Sequence, residues 1–318
     1  MNKENLSIRV RCCLIVKDKY LFIEQQTQSK TLLLFPGGGI ESGESMVEGC
    51  LREIREEIGV FLPRSTHFSL RGVREIVVTG FYRCIEFYFS TELEEVSIGH
   101  LSADENILSA TLYSLEELMM RDPKPDFWRE MLTSNSAVYV SDCHSLEEYV
   151  EKFGNLPNPG DHLEMVHVML KPDTVQCGNE ESVIADLIEA GGTLVYQKKM
   201  SLSLDQIKVI YFDFTFDSAR DLVFRYLTEN QTVHLAFVGP VGLHVRMNEL
   251  KGKTGGSTGL RGRYIKNYTR VVGEMFQMWV DGNHPDQDAI SLEMFCCNVL
   301  HVAPDARASY AGLRSILL

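Results

Sequence analysis

Three glutamates set three and four residues apart on one stretch of chain are the residues best placed to do chemistry. Positions 38–60 read GGIESGESMVEGCLREIREEIGV. Within them Met46, Val47, Cys50, Leu51, Ile54 and Ile58 recur with helical spacing, and Gly59 stands where a C-cap belongs. On such a helix, running from about Glu44 to Ile58, Glu53 projects from the same side as Glu56 and Glu57. Like charges so placed repel. Arg52 and Arg55 are too few to neutralise Glu48, Glu53, Glu56 and Glu57 together, so the spacing asks for a hard divalent cation. A solvated, charged helix face is the ordinary alternative for a Glu-rich run.

The complete pattern decides between the two. Gly38, five residues, Glu44, seven residues, then Arg52-Glu53-Ile54, Glu56-Glu57 and Gly59-Val60 resembles the Nudix box, and the flanking elements over residues 6–135 look like the Nudix α/β/α sandwich. The resemblance implies hydrolysis of a nucleoside diphosphate linked to another moiety. It implies that Glu53, Glu56 and Glu57 bind Mg²⁺ or Mn²⁺, that Arg52 holds and orients the glutamate helix, and that Glu44 braces the loop. Gly38 and Gly39 suit the approach of a pyrophosphate, since residues without Cβ leave room for it. The base that takes the proton of the attacking water is then a box glutamate or a later acidic residue. Glu105 and Asp104 are the later candidates, with Glu86 behind them, and each has ordinary surface charge as its plain alternative.

A second constellation lies further on, where residues 165–178 read MVHVMLKPDTVQCG and residues 298–305 read NVLHVAPD. A lysine at a strand end can reach a phosphate, with Pro-Asp forming the turn, and a histidine emerging from an apolar run can serve as a nucleophile. A lone histidine there is more often simply packed. Lys171-Pro172-Asp173 and Asn298 to His301 together resemble the nucleoside diphosphate kinase family in a divergent form. The resemblance covers residues 164–306 and implies a ferredoxin-like fold. It also implies ping-pong phosphoryl transfer through a phosphohistidine at His301, with Lys171, Tyr211, Thr254, Arg261 and Asn298 at the nucleotide.

Several positions depart from that family. Ala219 stands where a base-stacking aromatic belongs, with Phe216 nearby, and Asp217 replaces a phosphate-binding arginine. Arg246 is only close in register to a second arginine. Val302-Ala303 follows the histidine, and the glutamate that orients the imidazole falls near Gly312. Two readings of the second half therefore stay open: a phosphotransferase, or an inactive nucleotide-binding sensor or oligomerisation module that regulates the first half. The resemblance implies a homo-oligomer, while the short loop between Thr254 and Arg261 speaks against a hexamer.

The elements that must position these residues follow from periodicity. A hairpin is expected over residues 6–23 around Lys17-Asp18-Lys19, a strand over 31–35, a second hairpin over 71–90, a strand over 107–112, and helices over 114–120 and 126–132. An attached strand at 137–140 and a helix at 146–153 end a first domain of residues 1–153. The Pro/Gly/Asn cluster of residues 154–162 reads as a linker, and residues 163–318 form an α+β domain. A chain of 318 residues has room for both.

Composition excludes other classes. A formal charge of −13 argues against a long nucleic-acid partner, though a small metal-complexed nucleotide is allowed. No apolar run spans a bilayer, so no membrane partner is expected. The eight cysteines show no zinc spacing. Free thiols and an N-terminus without signal-peptide character make the cytoplasm the expected compartment.

Overall fold

The computed structural model describes residues 5–78, 82–102, 106–134, 136–159, 162–212, 214, 217–253, 258–264, 278, 281–283, 288 and 298–318. The chain divides into two compact units, residues 1–157 and 158–318.

In the first unit, β1 (Asn5–Val16) and β2 (Lys19–Gln26) form the expected hairpin. Lys17 and Asp18 have φ of 49° and 63°, the pair of left-handed residues that a two-residue turn matched to strand twist requires. The hairpin is extended by β3 (Thr31–Leu34), while β4 (Ser69–Val78) and β5 (Tyr82–Leu93) make the second antiparallel pair. With β6 (Ile107–Tyr113), β7 (Pro123–Lys124) and β8 (Val138–His144) these strands make one sheet, ordered β7-β3-β2-β1-β5-β4-β8, with β6 on β2. The two hairpins join by parallel pairing of β1 with β5 along their length, from Asn5 opposite Tyr82 to Val16 opposite Leu93.

Helices cover both faces. On one, Val10, Cys12 and Leu14 of β1 meet Cys50, Ile54 and Ile58 of α1 (Met46–Ile58). On the other, Cys13, Phe22, Phe35 and Tyr88 pack with Leu118 of α2 (Leu115–Met119) and with Trp128 and Met131 of α3 (Trp128–Thr133). Each fully buried aliphatic or aromatic side chain of such a core contributes about 1.5–3 kcal/mol.

The strand expected over 137–140 is longer than anticipated and joins the main sheet, since β8 runs parallel to β4. Helix α4 (Leu146–Phe153) starts at the N-cap Ser145, where Ser145 and Glu148 form a reciprocal capping box, and ends on left-handed Gly154. The expected linker does not begin at Gly154. The Gln28 amide donates to Asn155 Oδ1 at 3.1 Å, Ser29 Oγ donates to Gly154 O, and Leu156 is buried, so the first unit extends to Pro157.

The second unit runs β9 (Leu163–Leu170), α5 (Pro172–Gln176), α6 (Glu180–Glu189), β10 (Thr193–Ser201), α7 (Leu204–Ile210), α8 (Asp217–Glu229), β11 (Gln231–Pro240), α9 (Leu243–Lys251), α10 (Gly259–Tyr264), β12 (Leu300–Val302) and α11 (Ala306–Leu317). The four strands are antiparallel in the order β10-β11-β9-β12. Val166, Val168, Leu170, Val233, Leu235 and Phe237 bury one sheet face against α6, α9 and α10.

The opposite face carries buried histidines. His167 Nε2 and His234 Nδ1 are 3.1 Å apart, His234 Nε2 lies 2.9 Å from Thr232 Oγ1, and the His167 amide donates to Ser309 Oγ of α11. Gly312 of α11 rests on His167, because a Cβ there would lie 2.4 Å from Nδ1. Burial lowers His167 to about 4 and puts His234 well below its ordinary value, the neighbouring His167 charge adding to the effect. The unfolded imidazoles take up protons near 6.5 and the folded ones do not, so their contribution to stability is complete above that pH and is lost as pH falls toward about 4. Protection of second-unit amides, taken relative to the intrinsic exchange rate at each pH, should therefore fall between pH 6.5 and 4, and by less in His167→Gln; an equal fall in the two proteins would place the sensitive groups elsewhere.

No helix among the described residues is long and apolar enough to cross a membrane. Cys12, Cys13, Cys50, Cys84, Cys143 and Cys177 are free thiols.

Candidate functional site

The glutamate helix starts at Met46 rather than Glu44. Ser45 is its N-cap, and its side chain accepts from the Glu48 amide while Glu48 Oε2 accepts from the Ser45 amide. Glu44 consequently stays in the loop. At the other end Gly59 adopts φ 66° and closes the helix on Arg55 O.

Arg52 gathers the carboxylates. Its Nε donates to Glu44 Oε1 at 2.9 Å and Nη2 donates to Glu44 Oε2 at 3.0 Å, while Nη1 donates to Glu53 Oε1 at 2.8 Å and Glu56 Oε2 at 3.0 Å. Nη2 also donates to Gly39 O at 2.7 Å, so the arginine joins helix and loop. Glu44 Oε2 accepts from the Glu41 amide, which braces the loop from within. Burial raises the Glu53 carboxyl above its ordinary range against the opposing pull of Arg52, whereas the hydrogen bonds from Arg52 lower Glu44.

The remaining box glutamate faces the loop backbone, where the Gly37 amide donates to Glu57 Oε2 at 2.7 Å. The loop passes so close to β1 that a Cβ on Gly37, whose φ is 140°, would lie 2.1 Å from Val10 O. A Cβ on Gly38 would lie 2.5 Å from Glu53 Oε1, while Gly39 has open space around it. Gly38 thus brings backbone against the carboxylate, and Gly39 contributes its carbonyl.

Sequence reasoning missed Arg11. From the other side of the loop its Nη1 donates to Phe35 O and Gly37 O, and its Nε stands 3.6 Å from Glu86 Oε1. The signal was present as charged residues alternating with apolar ones, Arg9-Val10-Arg11-Cys12. Glu86 is only 7% exposed and also accepts from Tyr88 OH at 2.7 Å. Burial would raise its carboxyl, but Arg11 and Arg9 hold it below the ordinary range. Glu86 therefore supports Arg11 and the loop, and is not a base open to water. Glu105 and Asp104 lie outside the described residues.

Glu53 and Glu56 turn to Arg52 and Glu57 turns to Gly37, and among the described residues no three His, Cys, Asp or Glu side chains stand as a group that could hold a metal. The four acids of this stretch do not depend on the arginines alone, because Glu48 is satisfied by the cap and Glu57 accepts a backbone donor. The donor set itself, carboxylate oxygens with one of the three half-exposed, suits a hard cation.

In the second unit His301 lies on β12, opposite Met169 of β9. On that sheet face its diagonal neighbours are His167 and Lys171. The Tyr211 ring stands 4.9 Å from the imidazole, and Lys171 Nζ lies 5.7 Å from the centre of the same ring. Arg261 is buried and donates to Asn298 O at 3.1 Å and to Leu300 O at 3.2 Å, so it grips the backbone on either side of Val299. Val299 has φ 70°, rare for a β-branched residue. It is held by Asp173 Oδ2 on its amide and by the Lys171 amide and Thr174 Oγ1 on its carbonyl. Burial, then Lys171, His167, Lys251 and Arg261, put the His301 imidazole well below its ordinary pKa, in the neutral form a nucleophile needs.

The structure thus brings together Lys171, Tyr211, Arg261, Asn298 and His301. Thr254 and Phe216 lie outside the described residues. Arg246 is spent elsewhere, donating to Ala190 O and Pro240 O. Pro240 pairs with Leu163 at the far end of β9, roughly 20 Å along the strand from Met169. Ala219 is buried. Lys251, unnoticed in the sequence, stands in the electrostatic field of His301.

Residues 6–133 match the family model of the NUDIX domain. Nudix hydrolases act on nucleoside diphosphate derivatives and generally use divalent ions such as Mg²⁺ or Mn²⁺. No match to a curated protein was found. Among solved structures, the mutator MutT protein of Bacillus halodurans is 21% identical and the similarity covers 43% of this chain and 90% of that one, with a TM-score of 0.36. A NUDIX hydrolase from Nitrosomonas europaea is 22% identical over 40% of this chain and 86% of its own, with a TM-score of 0.31. The nucleoside diphosphate kinase of Aquifex aeolicus is 12% identical over 48% of this chain and 94% of its own, with a TM-score of 0.37.

Proposed function

We propose that the Nudix domain of residues 6–133 hydrolyses a nucleoside diphosphate linked to another moiety, with Glu53, Glu56 and Glu57 as the ligands of Mg²⁺ or Mn²⁺. The observation that carries this reading is the single guanidinium of Arg52 tying Glu44, Glu53, Glu56 and the Gly39 carbonyl together. When bound, the cation neutralises diphosphate oxygens and acidifies a water. The chain's own residues do the rest. Arg52 orients Glu53 and Glu56, while Arg11 and Glu57 clamp the Gly37 peptide from both sides. The base that takes the proton of the attacking water is a box glutamate or one of the later acids Asp104 and Glu105.

For the second unit the proposal is phosphoryl transfer between nucleotides through His301. The strand order β10-β11-β9-β12 supports the ferredoxin-like reading, because the split βαβ arrangement places its first and third strands at the centre. A neutral imidazole among Lys171, Arg261 and Lys251 supports the chemistry. The competing reading, a nucleotide sensor without chemistry, is favoured by Ala219 and Gly312, which leave base stacking and imidazole orientation without their usual side chains.

The purified protein with Mg²⁺ should hydrolyse at least one class among dinucleotides, sugar nucleotides, ADP-ribose and intact or damaged nucleoside triphosphates; inactivity against all of them would sink the hydrolase reading. Incubation with γ-labelled ATP should leave acid-labile, base-stable label that disappears in His301→Ala. Nucleotide binding without label would select the sensor.

A further inference from the structure

Strand β8 lies beyond the stretch that matches the NUDIX family model, which ends at residue 133, yet it pairs with β4 along its whole length. Beneath it the sheet carries an unusual row of charge. Glu86 of β5 stands opposite Arg9 of β1 on one side and opposite Arg74 of β4 on the other, so the three side chains share one sheet face. Arg11, two residues along β1 from Arg9, projects from the same face. One carboxylate therefore has three arginines around it.

Arg74 is the most deeply placed of the three, at 2% exposed. A guanidinium at that depth is costly without a counter-charge. Asp142 of β8 supplies one, since its Oδ2 accepts from Arg74 Nε at 2.7 Å and from Nη2 at 2.5 Å. Lys152 Nζ of α4 stands 3.6 Å from the same oxygen, and the centre of the Phe153 ring is 5.1 Å from the guanidinium carbon, so β8 and α4 enclose the pair. With Arg74 engaged at the sheet edge, Glu86 is left to Arg11. Its Oε1 lies 3.6 Å from Arg11 Nε, and its Oε2 accepts from Tyr88 OH at 2.7 Å.

Arg11 passes this order through the sheet to the box. The loop of residues 36–40 lies along β1 by three backbone hydrogen bonds, from Cys12 N to Pro36 O, Val10 N to Gly38 O and Ile40 N to Ile8 O. Gly37 stands out of that ladder. Its carbonyl accepts from Arg11 Nη1 at 2.5 Å on one face, while its amide donates to Glu57 Oε2 at 2.7 Å on the face of α1.

We propose that Asp142 is a positioning residue of the hydrolase: by holding Arg74 at the sheet edge it keeps Glu86 on Arg11, and Arg11 then fixes the Gly37 peptide that orients Glu57 for the divalent cation. The proposal rests on the Nudix reading and extends that site to a strand outside the matched residues.

The test compares full-length wild type, Asp142→Asn, Arg74→Met and the double variant in two measurements. One is protection of the Gly37 amide against hydrogen exchange in metal-free protein, taken relative to amides of the β1–β5 seam. The other is Mn²⁺ affinity, read from the paramagnetic resonance of free Mn²⁺. Asp142→Asn should lower relative Gly37 protection and Mn²⁺ affinity by about tenfold each, the loss of one charge-assisted hydrogen bond, because Arg74 then draws Glu86 away from Arg11. Arg74→Met should stay near wild type in both, with Lys152 retaining Asp142. The double variant should return to the level of Arg74→Met, since the competing cation is gone. A double variant as impaired as Asp142→Asn, or protection lost equally at Gly37 and along the seam, would make Asp142 a structural strut and overturn the proposal. Unchanged values in Asp142→Asn would overturn it while the Nudix reading stands. If wild type binds no Mn²⁺, both fail.

Discussion

Glu57→Gln is expected to lower hydrolysis by about a thousandfold, since a cation contributes several kcal/mol of charge stabilisation and each 1.36 kcal/mol is a factor of ten. The substitution separates two roles. The Glu57 carboxylate accepts the Gly37 amide at 2.7 Å, and a glutamine carbonyl oxygen can accept the same bond. The loop geometry is therefore kept and only the negative charge is lost. Turnover measured with saturating Mg²⁺, together with an unchanged melting temperature, isolates the electrostatic part. Activity within tenfold of wild type in a folded protein would mean that Glu57 serves the loop alone and that the cation is held elsewhere.

Arg52→Met should have the largest effect on stability. Side-chain exposure is 13% at Glu44 and 10% at Glu53, so removing the guanidinium leaves two sheltered carboxylates without their main partner, a change that costs about 3–5 kcal/mol. Chemical denaturation of the first unit at pH 7 reads the loss directly. The pH dependence has a definite sign. Arg52 holds Glu44 below its ordinary 4.5, so that contribution is complete above this value in wild type and is lost as the carboxyl protonates below it. The gap between wild type and Arg52→Met should therefore narrow on acidification. Mg²⁺ should raise the melting temperature more in the variant, because the cation and Arg52 draw on the same Glu53 and Glu56 oxygens. Equal shifts in the two proteins would show that they do not share those oxygens.

Arg11 and Asp142 illustrate one limit of reading a linear chain. Each acts through a contact distant in sequence: Arg11 with Phe35 and Gly37, Asp142 with Arg74. Neither stands in a motif, since their roles arise from which strand or loop lies beside them. Glu86 shows the converse. As an acidic residue it qualified as a base, but the alternation that places it on a strand also places it on the face of Arg11 and Tyr88, where it is buried and engaged.

Local chemistry determined much of this protein. The left-handed turn at Lys17 and Asp18, the capping boxes at Ser45 and Ser145, the glycine stops at Gly59 and Gly154, and the helical spacing of Glu53, Glu56 and Glu57 depend on residues within a turn or two of each other, so they are legible from the chain. Tertiary structure alone decided the parallel seam between β1 and β5, the placing of β8 on the sheet edge, the turning of the box carboxylates to Arg52 and Gly37, and the gathering of Lys171, Tyr211, Arg261 and His301 from four separate elements. The physical reason is the same throughout. Propensity and periodicity act over a few residues, whereas strand partners and buried-charge neighbours depend on how the whole unit closes its core.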